Sequence, residues 1–427
     1  MNKTVNIKIP YGKNHIRFSV PSNRLLGALK SRSFPQKNIK RLVSGSVGPA
    51  LRRKLYRKFF LNKKSVLIVV PDATRKSHLR DILPCLIKGL KMCSGPIDII
   101  VATGLHKEHT EYELKSLLGA NIVRTHHILS HSPGGRGLHS FGVTGKGIPI
   151  ILNKNLKKYD AVISVGVIEP HLYAGYSGGA KTIAIGLAGE AVINATHSTK
   201  FLDDPMTAIG VVENNAFQDT LWEIMDRLPG VFSVNVVNDC DGNALRVFSG
   251  DMKEVFRKGV DFSRHVFEVR AAASSDIVIC GIGHPKDMNL YQASRAINYI
   301  LNVDKPILKK GGALIVAARL GSGIGSGKGE KRFYEELKNM ASPVGFIKRI
   351  KREGCIAGVH RAYMVAKPLL DYHIIFVTNP ANNFMKNTPF PYFEDIRGAL
   401  RYADSIVGRN SKIHIVPRAL STIVKRC

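Results

Sequence analysis

The chain has 427 residues, 44% of them apolar, and 63 Lys or Arg against 32 Asp or Glu, for a formal net charge of +31. That length allows two or three domains with full cores, and the apolar fraction is that of a soluble globular protein. No run reaches the ~20 apolar residues of a membrane span. The six cysteines show neither C-x-x-C nor any metal-site spacing, which excludes a disulfide scaffold or zinc module and suits a reducing cytoplasm.

The first twenty residues alternate polar and apolar and lack the apolar core of a signal peptide. They predict a β-hairpin, with Val5, Ile7 and Ile9 on one strand, Ile16, Phe18 and Val20 on the other, and a turn at Gly12 and Lys13. Residues 23–64 read as largely helical, broken at Pro35 and again at 45–49. No acidic residue precedes Asp72, whereas 24–64 carry thirteen Lys or Arg. Such a field attracts anionic substrates and cofactors; the basic residues form no recognisable nucleic-acid module.

A continuous apolar run at 65–70 predicts a buried parallel strand. It delivers Asp72, Ala73, Thr74 and Arg75 at its carboxyl end, where α/β sheets place ligand-binding groups. A helix over about 77–92 and a strand over 97–102 follow, the latter running into a loop with His106 and His109. Thr110 and Glu113 then predict a capping box. The stretch 122–150, with His126, His127, His131 and His139, fits no common metal spacing and reads as loop, leading to strands near 148–152 and 159–167. Past residue 200 come a helix near 217–227 holding Trp222, a strand over 231–237 and a helix around 251–268. A strand at 275–280, a helix carrying Tyr291, Gln292 and Arg295, and a strand at 312–318 open a second α/β region. The Gly-rich loop 321–330 reads as a mobile lid or anion nest. Strands at 373–378 and 412–416, with helices near 330–341, 356–367 and 393–404, complete it. The rhythm predicts two α/β domains, 1–268 and 269–418, each a mostly parallel sheet flanked by helices, with 419–427 as a tail.

The richest chemistry lies in residues 164–198: Glu169, Pro170, His171, the small-residue turn Gly175 to Ala180, Lys181 and, sixteen residues beyond that lysine, His197. As G-x-x-x-x-A-K-T the stretch misses a P-loop by one residue, Ala180 standing where glycine is required. The residues alone leave open a cofactor-free binding protein for an anionic ligand and, more remotely, a P-loop-like NTPase.

This stretch is similar to the nickel-dependent lactate racemase family, whose hallmark is P-H-x-x-x-G-Y-S-G-G-A-K followed by that spaced histidine. Further motifs match in both halves: D-x-T-R at Asp72, Thr74 and Arg75, G-x-H at His106, and Y-Q at Tyr291 and Gln292. The resemblance implies a cytoplasmic racemase or epimerase of a small anionic 2-hydroxy acid, with its active site in a cleft between domains that close about a hinge near 265–274. It also implies nickel held by a pyridinium-3,5-bisthiocarboxylic acid mononucleotide (a nickel-pincer nucleotide), which dedicated cofactor-biosynthesis enzymes would supply. Lys181 would then join the cofactor through a thioamide and His197 would ligate nickel, with 72–75 holding the nucleotide. His106 and His171 would be the catalytic acid–base pair, and Tyr291, Gln292 and Arg295 would bind substrate. The chain departs from the lactate-acting pattern at Arg295, where relatives carry lysine, at Lys76, where they carry proline, and at Ile185, where they carry the proline of K-x-x-x-P-G. An arginine fork grips a carboxylate differently from a lysine, so malate or a sugar acid competes with lactate as substrate.

Overall fold

Strands buried on both faces need partners on both sides, and two six-stranded sheets supply them. The computed structural model describes residues 3–61 and 63–427. They form two compact units of interleaved segments: Ser33–Thr196 with Val212–Val266 (the motif unit), and Met1–Arg32, His197–Val211 and Phe267–Cys427 (the hairpin unit). The two-domain α/β class expected from the sequence is what the chain adopts. Where one cut at 268/269 was the expectation, the units exchange segments: the N-terminal hairpin and residues 197–211 belong with the second half.

In the motif unit the strand order is Ala244–Asp251, Val231–Asn238, Ala161–Val167, Val66–Pro71, Ile97–Ala102, Ile128–Leu129. All neighbours are parallel except the first pair. From Val66–Pro71 the chain winds outward one way through Ile97–Ala102, then returns to place Ala161–Val167 on the other side. These two central strands therefore flank a topological switch point, and the loops at their carboxyl ends diverge around a crevice. One face of the sheet is covered by the helices Ile39–Arg52, Lys54–Leu61 and Leu79–Gly89, whose Val43, Val47, Phe60, Ile82 and Leu86 join the strands in one core.

The hairpin unit repeats the architecture with all six strands parallel: Tyr392–Phe393, His373–Val377, Leu308–Ala317, Ser275–Gly281, Ile413–Val416, Leu25–Ala28. Its switch point lies between Ser275–Gly281 and Ile413–Val416. The hairpin of Thr4–Tyr11 and Asn14–Pro21 packs Ile7, Ile9, Phe18 and Val20 into this core.

Several expectations need correction. Residues 25–28 form an edge strand, not helix. Pro49 does not break the Ile39–Arg52 helix, because Val43, Val47, Ala50 and Leu51 bury one continuous face through it. The stretch read as loop at 122–150 contains the helix Ala120–Thr125 and a hairpin of Leu138–Val143 with Pro149–Asn153. The supposed tail contains the strand Ile423–Arg426, which pairs in parallel with Glu268–Ala271 and buries Ile423 and Val424.

Candidate active site

Val66–Pro71 is buried along its whole length, so the first residue able to face a ligand is Asp72. Its carboxylate is fully engaged. Oδ2 meets His106 Nδ1 at 2.5 Å, and Oδ1 accepts from the Thr74 amide at 3.1 Å and the Thr74 hydroxyl at 2.5 Å. Burial alone would raise this carboxyl's pKa, but the hydrogen bonds from His106 and Thr74 outweigh it and hold it below the ordinary value. Against a carboxylate, the His106 ring carries its proton on Nδ1, which leaves Nε2 as the basic nitrogen. The His106 side chain is 62% exposed, so that nitrogen is reachable. Gly104, at φ +57°, turns the chain here, and its amide donates to the Gly186 carbonyl at 2.9 Å. His109, on the same loop, instead accepts from the Ala73 amide at 3.4 Å through Nε2.

The neighbouring strand, Ala161–Val167, is equally buried and ends in Glu169, Pro170 and His171. Glu169 pairs with the Arg75 guanidinium, tying together the two loops at the switch point. Pro170–His171 and Gly175–Tyr176 close a tight hairpin. His171 Nδ1 accepts from two backbone amides, Tyr173 N–H at 3.3 Å and Ala174 N–H at 3.2 Å. Its ring stacks on Phe217 with centroids 6.5 Å apart.

The glycines that follow are packing requirements. At Gly178 (φ +82°) a Cβ would lie 2.6 Å from Asn235 Oδ1 and 3.0 Å from the Val167 carbonyl oxygen. The Gly179 amide donates to the same Asn235 Oδ1 at 3.3 Å. This close approach brings Lys181, the first residue of the helix Lys181–Ala184, down beside the two loops. Burial, and then the Arg75 cation, draw its pKa to about 7, against smaller opposing effects of Asp72 and Glu169. The shift favours the free amine, the nucleophilic form, at a lower pH than an ordinary lysine would reach it.

Asp72, Thr74, Arg75, His106 and Lys181 are thus brought together in one unit, with His171 on the adjoining loop. His197, Tyr291, Gln292 and Arg295 belong to the other unit. There the His197 ring lies edge-on to His360, centroids 5.3 Å apart, and its carbonyl accepts from the Cys355 thiol at 3.1 Å. His360 donates through Nδ1 to the Ile356 carbonyl at 3.4 Å, and burial, reinforced by His197 and Arg361, lowers its pKa well below the usual histidine value. Tyr291 lies under the Arg361 guanidinium at 5.6 Å and edge-on to Phe333. The Gln292 amide donates to the capping Asn289 Oδ1 at 2.9 Å. Arg295 opens the helix Arg295–Leu301. Among the described residues no three His, Cys, Asp or Glu side chains gather into a metal-holding group, so a metal on His197 would take further donors from a ligand.

Sequence reasoning gave Glu169 no role of its own and passed over Asn235, His360 and Arg361. The last two did leave a signal, a polar pair inside the otherwise apolar helix Val359–Ala366. The Gly-rich loop 321–330 is no phosphate cradle: Glu330 accepts the Gly327 amide at 2.9 Å and the Asn289 amide group at 2.9 Å, filling its own nest.

Sequence profiles of the lactate racemase N-terminal and C-terminal domains match residues 11–210 and 270–424. A lactate racemase of Thermoanaerobacterium thermosaccharolyticum is 29% identical over 431 residues, spanning 98% of this chain and 99% of that protein. A lactate racemase of Lactiplantibacillus plantarum is 28% identical, spanning 99% and 100%. The solved lactate racemase apoprotein from T. thermosaccharolyticum superposes with a TM-score of 0.88 at 30% identity, covering 99% of this chain and 100% of that one. A Thermotoga maritima protein shares the fold at a TM-score of 0.68 and 17% identity, over 92% and 100% of the two chains. With both domain profiles matched in order and a full-length structural relative, the chain belongs to the lactate racemase family.

Proposed function

We propose that this protein racemises or epimerises a 2-hydroxy acid, lactate or a close relative, by moving the C2 hydrogen as hydride through a planar 2-keto acid. The observation that carries the reading is the position of Lys181, which opens its short helix beside the Asp72–His106 and Arg75–Glu169 pairs at a sheet switch point, with its pKa drawn down by burial and by Arg75. The residues suit a nickel-pincer nucleotide: Lys181 is able to form the thioamide link, Arg75 offers a phosphate-binding fork, and His197 offers nickel an imidazole. The bound group would supply the acceptor and donor of the C2 hydride. Asp72 serves it less directly than the sequence suggested, since both its oxygens are committed to His106 and Thr74.

The chain's own part is to bind, orient and move protons. His106 and His171 serve the substrate hydroxyl, and Tyr291, Gln292 and Arg295 its carboxylate. The basic surface draws in the anionic acid. No helix among the described residues is long and apolar enough to cross a membrane, and cytoplasmic residence, close to the enzymes that build the cofactor, is part of the proposal. The test is to co-produce the chain with those enzymes, map the Lys181 peptide by mass, and assay D- and L-lactate, malate and sugar acids for loss of optical purity. A sulfur-containing nucleotide adduct on Lys181 together with racemisation is the expected result. Unmodified Lys181 and no racemisation of any acid would overturn the reading.

A further inference from the structure

Basic residues gather at the end of the motif unit that lies opposite the candidate site. The segment 52–64 holds seven Lys or Arg in thirteen residues, and no Asp or Glu occurs before Asp72. The helix Lys54–Leu61 at its centre is anchored from within: Phe60 is fully buried, and the Tyr56 and Phe60 rings meet Phe232 edge-on with centroids 5.0 and 5.7 Å away. Phe232 stands at the amino end of its strand, and the helix leads directly into Val66–Pro71. A six-residue strand, about 20 Å long, therefore separates this helix from Asp72 and the crevice. With its rings turned inward, the helix presents Lys54, Lys58 and Leu61 outward at i, i+4 and i+7, with Arg57 and Leu55 on either side. Leu55 is 71% exposed and Leu61 53%.

These charges are uncompensated. The ion pairs step from Arg24–Asp404 to Arg75–Glu169, and among the described residues no lysine or arginine in between is paired. Neighbouring carboxylates have other partners: Glu254 pairs with Lys258 at 2.6 Å, Asp251 accepts from the Glu254 amide at 3.0 Å, and Asp160 accepts from the Lys64 amide at 2.9 Å and the Ser65 hydroxyl at 3.2 Å. Three kinds of occupant answer a cationic face, and the side chains separate them. A second copy would bring the same positive charge against it. A nucleic acid would engage the cations and stack its bases on exposed rings, but here the rings are turned into the core and leucines stand outside. An anionic bilayer uses both features, its headgroups taking the cations and its acyl boundary the leucines. We infer that the outer face of Lys54–Leu61, with Arg52 and Arg53 before it, docks the protein on an anionic lipid surface. The crevice at the opposite end of the strands then points away from the lipid and stays open to a dissolved acid. The inference goes beyond the proposed function and does not depend on it.

The test is co-sedimentation of the full chain with vesicles of phosphatidylcholine, alone or with about one third phosphatidylserine, at about 0.1 M and about 1 M salt. The expected result is binding to the anionic vesicles only, lost at the higher salt. Each cation near such a surface is worth about 5-fold, so Lys54→Gln, Arg57→Gln and Lys58→Gln together should weaken binding roughly 10²-fold. Leu55→Gln with Leu61→Gln keeps every charge and should weaken it about 10-fold. All five positions are exposed on the helix and glutamine is a good helix former, so the melting temperature should hold in both variants. Wild-type chain that leaves the anionic vesicles unbound, or a charge variant that binds them as well as the wild type does, would overturn the inference. Binding indifferent to the leucines would also overturn it, and duplex DNA bound with the same loss in the charge variant would assign the face to a phosphate backbone instead.

Discussion

Each unit has a switch point where its parallel sheet changes winding direction, and the two crevices have opposite fates. In the motif unit the loops leaving Val66–Pro71 and Ala161–Val167 carry Asp72, Arg75, Glu169 and His171 around an accessible His106. In the hairpin unit the equivalent place is filled by the chain's own N-terminus. The Gly12 amide donates to Asp287 Oδ2 at 2.5 Å, the His284 amide donates to the Gly12 carbonyl at 3.0 Å, and a Cβ on Gly281 would lie 2.7 Å from the Pro417 carbonyl oxygen and 3.0 Å from that of Pro10. The same topology thus leaves an open candidate site in one case and makes a packed joint in the other. Winding locates a crevice, and what enters it decides its use.

If that contrast is right, substitutions in the first crevice should cost activity and spare stability, and those in the second the reverse. The largest effect belongs to Lys181→Met, which should abolish racemisation and remove the mass adduct while leaving a folded protein. It should also change the response of stability to pH. A lysine held at about 7 when folded and near ~10.4 when unfolded binds fewer protons in the native state across that window. Wild-type stability should therefore rise from pH 7 toward 10 relative to Lys181→Met, by up to about 1.4 kcal/mol per pH unit, and stay flat below 7. Parallel urea-unfolding curves for the two proteins across this range would remove the claim that the amine is neutral. Next, Asp72→Asn keeps the size of the side chain but can present an N–H to His106, favouring the wrong tautomer. Activity should fall roughly 10³–10⁴-fold, as in other carboxylate–histidine pairs, with the melting temperature little changed.

In the filled crevice the signs invert. Gly281→Ala pushes a methyl group into two backbone carbonyls that have nowhere to go, and should destabilise by about 1–3 kcal/mol in urea unfolding. Asp287→Asn should cost a similar amount, about 1–3 kcal/mol, by weakening the acceptor that holds the Gly12 and Arg319 amides. Activity per folded molecule should be unchanged in both. A specific loss of turnover at either position would erase the distinction between the two crevices.

Much of the contrast was legible in the sequence, for a physical reason. Strands buried on both faces read as unbroken apolar runs, so Val66–Pro71, Ala161–Val167 and Ser275–Gly281 announced themselves, and the candidate site residues stood at the carboxyl ends of the first two. What stayed hidden depends on contacts that no local pattern encodes. Asp72 was read as a nucleotide contact because its partner His106 lies on another loop. The partners of His171 Nδ1 are backbone amides, which every residue type carries. Leu25–Ala28 and Ile423–Arg426 are four-residue strands, too short for periodicity, and nothing in their composition says which sheet they join. The interleaving of the two units follows from those unreadable pairings.

The smallest effect tests the part of the hairpin unit that most resembles a ligand site. The loop at 321–330 has the glycines of a phosphate cradle, and Gly325, at φ +92°, turns its amides inward. Yet Glu330 Oε2 would sit 2.3 Å from a Cβ on Gly325, and its carboxylate accepts the Gly327 amide while Oε1 takes the amide group of Asn289. The anion this nest was built for is already part of the chain. Glu330→Ala should therefore cost about 1 kcal/mol, the usual worth of a lost helix cap. It should also create what the wild type lacks, a weak stabilisation by millimolar inorganic phosphate as the freed amides find another anion. Phosphate that stabilised the wild type by as much as the variant would mean that Glu330 does not occupy the nest, and the loop after Leu308–Ala317 would then have to be counted as a binding site.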